Sequence, residues 1–244
     1  MDSSALPAGI GDRQPSVLTG LLFLLRWHIP ESIAPKIGYA SAVTSFAFTG
    51  QELRKLRSLK HPYGIQKFLD SMPYHHADTA WSPRVAMREN TSHCLEGAIL
   101  ATAALRANGF PPLVFDLEGE ADSDHVVAIY RERGHWGAIA KSNFAGLRYR
   151  EPVYRSLREL AMSYFEHYFN LRGQRSLRAF SRPVNLARFD HLQWMTTEKP
   201  VWFVAEYLCT IRHHQVLRPG MAEHLHRLDD RSFRAGCTGR EDRK

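Results

Sequence analysis

The chain has 244 residues, of which 44% are hydrophobic and 23% are charged, so it is long enough to bury a substantial core within one domain. Its formal charge is +7, but the basic surplus is spread along the chain without the clustered basic and aromatic residues of nucleic-acid readout, which argues against nucleic acid as a partner. A membrane span requires a run of roughly 18 apolar residues, and the sequence predicts none, because the longest run, residues 17–25, stops at Arg26.

The two ends of the chain differ in composition from its centre. Residues 1–16 are rich in Ser, Pro, Gly and Asp, which predicts a flexible segment, and residues 236–244 form a basic tail. We therefore expect one domain over residues 17–235. The start Met1–Ser4 lacks the positive region of a secretory signal, so the sequence predicts a cytoplasmic protein.

Three cysteines, Cys94, Cys209 and Cys237, stand at wide spacing without a CxxC pair. This pattern argues against a disulfide framework and against a thiolate zinc site, so at least one thiol should be free. The histidines lack HExxH or Cys/His ligand spacing, so no metal is predicted.

The first half of the chain predicts helices around a connecting region. Leu18–Trp27 and Gln51–Leu59 carry apolar residues at helical spacing, which predicts two helices packing outside the main sheet. Residues 61–83 contain several prolines and a glycine around a short helical piece, Ile65–Met72. This region is expected to lead into the functional site.

A longer helix is predicted to begin near Cys94. Thr91 or Ser92 can cap its N-terminus, apolar residues recur along one face, and Asn108-Gly109 supplies the stop. Cys94 then falls in the first turn of this helix.

Strand patterns follow this helix. Residues 112–117 are a strand candidate, residues 118–124 an acidic loop, and the runs His125–Tyr130 and Trp136–Lys141 are expected to pair as a hairpin. A helix followed by consecutive antiparallel strands indicates the α+β class.

The second half contains one clear helix signal and two weaker patterns. Ser156 and Glu159 have the spacing of a capping box, so a helix is predicted over Leu157–Asn170. Pro183–Phe189 is a strand candidate. Val201–His213 fits a helix or a strand, because its β-branched start and its AEYLCTI continuation favour different structures.

Cys94 is the candidate nucleophile because of its place in the predicted helix. Unpaired backbone N–H groups and the helix dipole favour a thiolate in the first turn. The same N–H groups can bind the oxyanion of a tetrahedral intermediate, so one turn of backbone serves two steps of acyl transfer. The plainer alternative is a small buried cysteine beside alanines.

His125 is the candidate base, because it begins a strand directly after the acidic loop and can project toward the start of the helix. Its imidazole needs an acceptor that fixes its tautomer. The predicted hairpin returns Asn143 beside His125, and Asp124 and Asp116 are the alternative acceptors. A hydrogen-bonded structural histidine is the plainer alternative.

Trp81, His93 and Trp136 are candidates for lining a substrate cleft. Trp81 and His93 flank the proposed nucleophile in sequence, and Trp136 opens the strand that returns toward His125. Packing within the core explains these side chains equally well.

The centre of the chain resembles a known family. The stretches HCLEGAILATAALRANGFPPLVFDL and DSDHVVAIYRERGHWGAIAKSNFAGLRYREPVYRSLRELAMSYFEHYFN are similar to an uncharacterised bacterial group of transglutaminase-like proteins, within the papain-type cysteine enzymes. The resemblance covers about residues 80–190. It implies a papain- or transglutaminase-like core with extra helices at both ends, a triad of Cys, His and Asp or Asn, acyl chemistry on amide or ester bonds, and no obligatory cofactor.

By position, the resemblance implies Cys94 as the nucleophile and His125 as the general base and acid. The family generally places Asp after the second strand, where this chain has Lys141-Ser142-Asn143. We therefore expect a cysteine enzyme that transfers or hydrolyses acyl groups on a protein or peptide substrate. The alternative is a catalytically inactive relative that binds a peptide or protein partner, and a third reading, nucleic-acid binding, predicts salt-dependent retention.

Overall fold

The computed structural model of the protein describes residues 48–240. The predicted flexible segment 1–16, the predicted helix Leu18–Trp27 and residues 241–244 of the predicted tail lie outside this range. The described helices are α1 (Gly50–Ser58), α2 (Pro62–Asp70), α3 (Pro83–Glu89), α4 (Cys94–Ala107), α5 (Leu157–Met162), α6 (Trp202–Thr210) and α7 (Asp230–Gly236). Over these residues, no helix combines the length and the hydropathy that crossing a membrane requires.

The strands of the described chain form one antiparallel sheet. They are β1 (Leu113–Gly119), β2 (His125–Glu132), β3 (His135–Ile139), β4 (Arg150–Tyr154), β5 (Leu177–Ser181), β6 (Val184–Asn185) and β7 (His213–Gln215). Their order is β4-β3-β2-β1-β5-β7, and β6 pairs with the start of β1. An antiparallel sheet combined with helices, without parallel βαβ units, is the α+β class, so this prediction is confirmed.

The predicted hairpin forms between β2 and β3. Glu132 lies opposite His135, so the connection is the two-residue turn Arg133-Gly134. Both turn residues have positive φ angles, 48° and 83°, which is the backbone of a type I′ turn. Such a turn matches the twist of the strands and fixes their register.

The sheet has two buried faces with different coverings. On the first, here called the α4 face, α4 packs against alternate strand residues, which include Val114, Val126, Ala128, Tyr130 and Ile139. On the opposite face, Phe115, Leu117, Val127, Ile129 and Ala138 pack against Leu160, Ala161, Tyr164, Phe165 and Tyr168. Because side chains alternate along a strand, each residue of β2 belongs to one face only.

The helix predicted over Leu157–Asn170 is too long, since α5 ends at Met162. At the end of this helix, the Ser163 hydroxyl donates a hydrogen bond to the Leu160 carbonyl. A 3-10 turn over Phe165–His167 follows. This change of direction lets the aromatic residues after Ser163 pack on the opposite face. The aromatic stripe is therefore core, but it is not one continuous helix.

Two other segments have structures that differ from their sequence predictions. Only Val184–Asn185 of the strand candidate Pro183–Phe189 pairs, because the Asn185 side chain accepts a hydrogen bond from Ala187 N and starts a 3-10 turn. The ambiguous stretch Val201–His213 is both: α6 occupies most of it and β7 begins at His213.

Candidate functional site

The start of α4 carries Cys94 as its first helical residue. His93 is the N-cap, and the Glu96 carboxylate accepts a hydrogen bond from His93 N over 3.2 Å. The prediction of Thr91 or Ser92 as the cap is wrong by one or two positions. The Thr91 hydroxyl instead donates to the Pro73 carbonyl, and Ser92 pairs through its backbone with the segment at Tyr74.

The Cys94 thiol lies against the backbone where β2 begins. Its sulfur is 3.9 Å from the carbonyl oxygen of Asp124, the residue that precedes His125. Burial raises the pKa of the thiol to about 11, although the backbone N–H groups of Val126 and Leu95 act in the opposite sense. The N–H groups at the helix start act to lower this pKa, as predicted, but desolvation outweighs them and the pKa of the thiol is raised.

His125 is 5% exposed and its ring lies on the opposite face of the sheet from α4. The rings of Tyr164 and Tyr168 pack edge-on against it, each at 6.4 Å between centroids. Its Nε2 is 2.8 Å from the carbonyl oxygen of Leu147. Burial lowers the pKa of the imidazole to about 4, against the hydrogen bond to Leu147.

The structure brings Cys94 next to the backbone of His125, but it does not join the thiol to the imidazole. In the described part of the chain, no hydrogen bond links the two side chains, and α4 and the His125 ring lie on different faces. Because the pKa of the thiol is about 11 and that of the imidazole about 4, both groups are neutral at pH 7. A preformed thiolate–imidazolium pair is therefore not present.

The acceptor that orients His125 is a backbone carbonyl. The Leu147 carbonyl oxygen accepts the hydrogen bond of His125 Nε2, whereas the sequence predicted the Asn143 side chain as the acceptor. Of the two alternatives, Asp124 accepts from Gly119 N over 2.9 Å, and Asp116 contacts His213. The role of Asn143 stays a prediction.

A histidine–carboxylate pair separate from His125 lies on the α4 face. His213 Nε2 is 3.0 Å from Asp116 Oδ2, and its Nδ1 is 3.0 Å from Ile211 O. Oxygen atoms at both nitrogens favour the imidazolium form, and the hydrogen bond to Asp116 raises the pKa of His213. The other carboxylate oxygen, Asp116 Oδ1, is buried without a hydrogen-bond partner, and burial raises the pKa of this carboxyl group.

Sequence reasoning missed this pair. His213 had no ligand or catalytic spacing around it, and 97 residues separate it from Asp116. The two residues meet because β1, β5 and β7 are neighbours in the sheet, with Ser181 of β5 opposite His213. No local pattern carries that information.

Trp81 and His93 belong to a network centred on Glu96, which is fully buried in the first turn of α4. Trp81 N donates to Glu96 Oε1 over 3.0 Å, and His93 N donates to Oε2. Thr79 and His75 complete the set, with Thr79 Oγ1 at 2.6 Å and His75 Nδ1 at 3.1 Å from the carboxylate. The network fixes the segment before α4 against the helix that carries Cys94.

Trp136 lies far from this helix start. Its partner Arg131 is six residues beyond His125 along β2, which is about 20 Å in an extended strand. The Arg131 guanidinium packs over the Trp136 ring at 5.7 Å. The structure therefore does not bring Trp136 together with Cys94, in contrast to Trp81 and His93.

Gly97 is required for the close approach of α4 to the end of β3. A Cβ at this position would overlap the Cβ of Lys141, which cannot swing away as the end of a flexible chain would. We expect Gly97→Ala to lower the free energy of unfolding by about 1–3 kcal/mol, because overpacking outweighs the roughly 1 kcal/mol gain in helix propensity. Urea unfolding followed by circular dichroism measures this change.

Gly50→Ala is the matched control for this substitution. Gly50 lies in α1, and the nearest atom to its added Cβ is Nη1 at the far end of the long Arg54 side chain, at 3.3 Å. It should unfold at the same urea concentration as the wild type or a higher one. Equal stability of Gly97→Ala and the wild type would contradict the tight packing of α4 on Lys141.

Within the described residues, no group of three or more His, Cys, Asp or Glu side chains is arranged to hold a metal ion. Comparison of the sequence with models of known protein families and with curated proteins found no match. The transglutaminase-like resemblance therefore stays a prediction, and the site is interpreted from its own chemistry.

Proposed function

We propose that the protein is a transglutaminase-like cysteine enzyme that transfers or hydrolyses acyl groups on amide bonds of a protein or peptide. The observation that supports this best is the contact of the Cys94 sulfur with the carbonyl of Asp124, immediately before His125. It puts a thiol at a helix start beside the strand start that carries an imidazole, the two groups that acyl transfer needs. A papain-like arrangement of α4 and the sheet is part of this proposal.

The Leu147 carbonyl determines which nitrogen of His125 is the base. A carbonyl oxygen only accepts, so Nε2 carries the ring proton and Nδ1 keeps its lone pair. Nδ1 is the base in this proposal. The pKa of the imidazole, about 4, keeps the ring neutral at pH 7, so Nδ1 has a lone pair that can accept a proton. Because the pKa of the thiol is about 11, transfer of its proton has to be coupled to attack of the sulfur on the amide carbon.

The proposed reaction requires the His125 ring to come within hydrogen-bond reach of the thiol. Nδ1 then takes the thiol proton as the sulfur attacks the amide carbon and a carbon–sulfur bond forms. The carbonyl electron pair moves to oxygen, and N–H groups at the start of α4 bind that oxyanion. Collapse of the intermediate breaks the carbon–nitrogen bond, and the proton on Nδ1 goes to the leaving amine. Water or a second amine then cleaves the thioester, giving hydrolysis or transamidation.

A non-catalytic peptide- or protein-binding module is the second candidate. The observation that favours it is the position of the His125 ring on the face opposite α4, where Leu147, Tyr164 and Tyr168 enclose it. In this reading, Cys94 and His125 are packing residues. Both are neutral at pH 7, because the pKa of the thiol lies well above 7 and that of the imidazole well below it.

An activated acyl donor separates the two candidates. In a background with Cys209→Ser and Cys237→Ser, Cys94 is the only thiol of the chain. We expect p-nitrophenyl acetate to form an acetyl thioester at Cys94, visible in the intact mass, with continued release of nitrophenolate. Loss of the general base in His125→Gln should slow acylation by about 10²–10⁴-fold. Cys94→Ala should remove the adduct.

Two further variants in the same background sharpen this test. His191→Gln, which removes an exposed histidine, should leave the acylation rate unchanged. Asn143→Ala should change it less than about tenfold, because the Leu147 carbonyl already fixes the imidazole. Acylation of Cys94 at the parent rate in a folded His125→Gln variant would contradict the enzyme and favour the binding module. A larger loss in Asn143→Ala would assign the orienting role to Asn143.

A further inference from the structure

Two arginines converge on one tyrosine at the surface beside α6. Arg182 lies between β5 and β6, Arg188 lies in the 3-10 turn after β6, and Tyr207 lies on α6. Arg182 Nη2 donates to the Tyr207 hydroxyl oxygen over 3.2 Å, and Arg188 Nη1 donates to the same oxygen. Three separate elements thus bring two cations to one phenol oxygen.

The guanidinium groups of Arg182 and Arg188 form no ion pair with a carboxylate of residues 48–240. Both side chains are exposed. Other arginines of the described chain do pair with carboxylates, among them Arg84, Arg88, Arg106, Arg148, Arg175 and Arg178. Stacking of Arg188 on the Tyr207 ring, at 3.9 Å to the centroid, offsets part of the repulsion between the two cations. An anion between them would remove the rest.

The N–H groups of Arg182 and Arg188 that do not bind Tyr207 can donate to an anion with several oxygens. A guanidinium has five N–H groups in a planar fork, and Arg182 and Arg188 each use one of them on Tyr207. The Tyr207 oxygen already accepts two hydrogen bonds, so its own proton is directed elsewhere and is free to donate. Two positive charges balance a dianion, whereas a carboxylate would leave one of them uncompensated.

We propose that Arg182, Arg188 and Tyr207 form a binding site for a phosphate dianion, either inorganic phosphate or the phosphoryl group of a small ester. The two guanidinium groups hold phosphate oxygens from two directions, and the Tyr207 hydroxyl donates to a third oxygen. This site shares no residue with Cys94 and His125. It therefore stands or falls independently of the acyl-transfer proposal.

Titration of the full chain at constant ionic strength tests this site, with inorganic phosphate, phenyl phosphate and acetate as separate ligands followed by calorimetry. We expect saturable 1:1 binding of a phosphate dianion and weaker binding of acetate. Arg182→Gln/Arg188→Gln should raise the phosphate Kd at least about tenfold, because charge-assisted hydrogen bonds are lost. Tighter binding of phenyl phosphate than of inorganic phosphate identifies an ester as the ligand, and the reverse identifies the free ion.

The matched control removes the same charge elsewhere. Arg227→Gln/Arg231→Gln replaces two exposed arginines near α7 and should leave the phosphate Kd unchanged. The proposal would be overturned by an absence of saturable phosphate binding, by an unchanged Kd in Arg182→Gln/Arg188→Gln, or by equal weakening in the control pair. Acetate binding as tight as phosphate binding would overturn it as well.

Discussion

Replacement of Glu96 by Ala is expected to lower the free energy of unfolding by about 3–5 kcal/mol. The carboxylate is 0% exposed and accepts hydrogen bonds from the backbone N–H groups of Trp81 and His93 and from the Thr79 hydroxyl. Removing it leaves these part-buried donors without their acceptor, and each unsatisfied group costs about 1–3 kcal/mol. Urea unfolding followed by circular dichroism measures the loss.

The conservative variant Glu96→Gln distinguishes lost hydrogen bonds from lost volume. Its NH2 group would face donors where an oxygen now accepts, so we expect a loss of about 1–3 kcal/mol rather than recovery. Glu206→Ala, at an exposed position of α6, should change stability by no more than about 0.5 kcal/mol. A Glu96→Ala variant within about 1 kcal/mol of the wild type would show that the network contributes little. In that case, amide exchange at Trp81 and His93 should also be unchanged.

The elements that sequence predicts well are those with local causes. The helix from Cys94 has a continuous apolar pattern and ends before Gly109, and the β2–β3 hairpin has a glycine in its two-residue turn. Both signals involve only neighbouring residues, so they predict the helix and the hairpin without knowledge of the tertiary contacts. The α+β class followed from these two elements.

The site was less predictable because its contacts are not local. The acceptor of His125 is the Leu147 carbonyl, and a backbone carbonyl has no signature in the sequence. The partner of Asp116 is His213, which reaches it only through the order of β1, β5 and β7. Residue spacing along the chain therefore did not indicate the carbonyl at one histidine or the carboxylate partner of the other.

The charge state of Cys94 shows why placement in a helix is not enough to predict reactivity. The first-turn N–H groups do favour the thiolate, as expected from sequence. Desolvation acts in the opposite direction, and it depends on how closely β2 approaches the sulfur. That approach is a property of the assembled fold, so its effect on the thiol pKa is not readable from the helix alone.

Acidification from pH 7 to pH 4 is expected to cost the native state about 3 kcal/mol through His125 alone. The pKa of this imidazole is about 4 in the folded protein and about 6.5 in an unfolded chain, and each unit of difference corresponds to about 1.4 kcal/mol. A histidine with a lowered folded-state pKa stabilises the native state fully above pH 6.5. Its contribution is lost as the pH falls toward 4, because only the unfolded chain takes up the proton.

Urea unfolding at several pH values between 7 and 4 measures this loss as a slope. His125→Gln should flatten the slope, whereas His191→Gln, at an exposed position, should keep it. His213 has the opposite sign, because its hydrogen bond to Asp116 raises its pKa and its contribution is lost as the pH rises. His213→Gln should therefore steepen the fall in stability on acidification. Parallel slopes for the wild type and His125→Gln would mean that the imidazole takes up a proton as readily in the native state as in the unfolded chain, which would contradict the lowering of its pKa by burial.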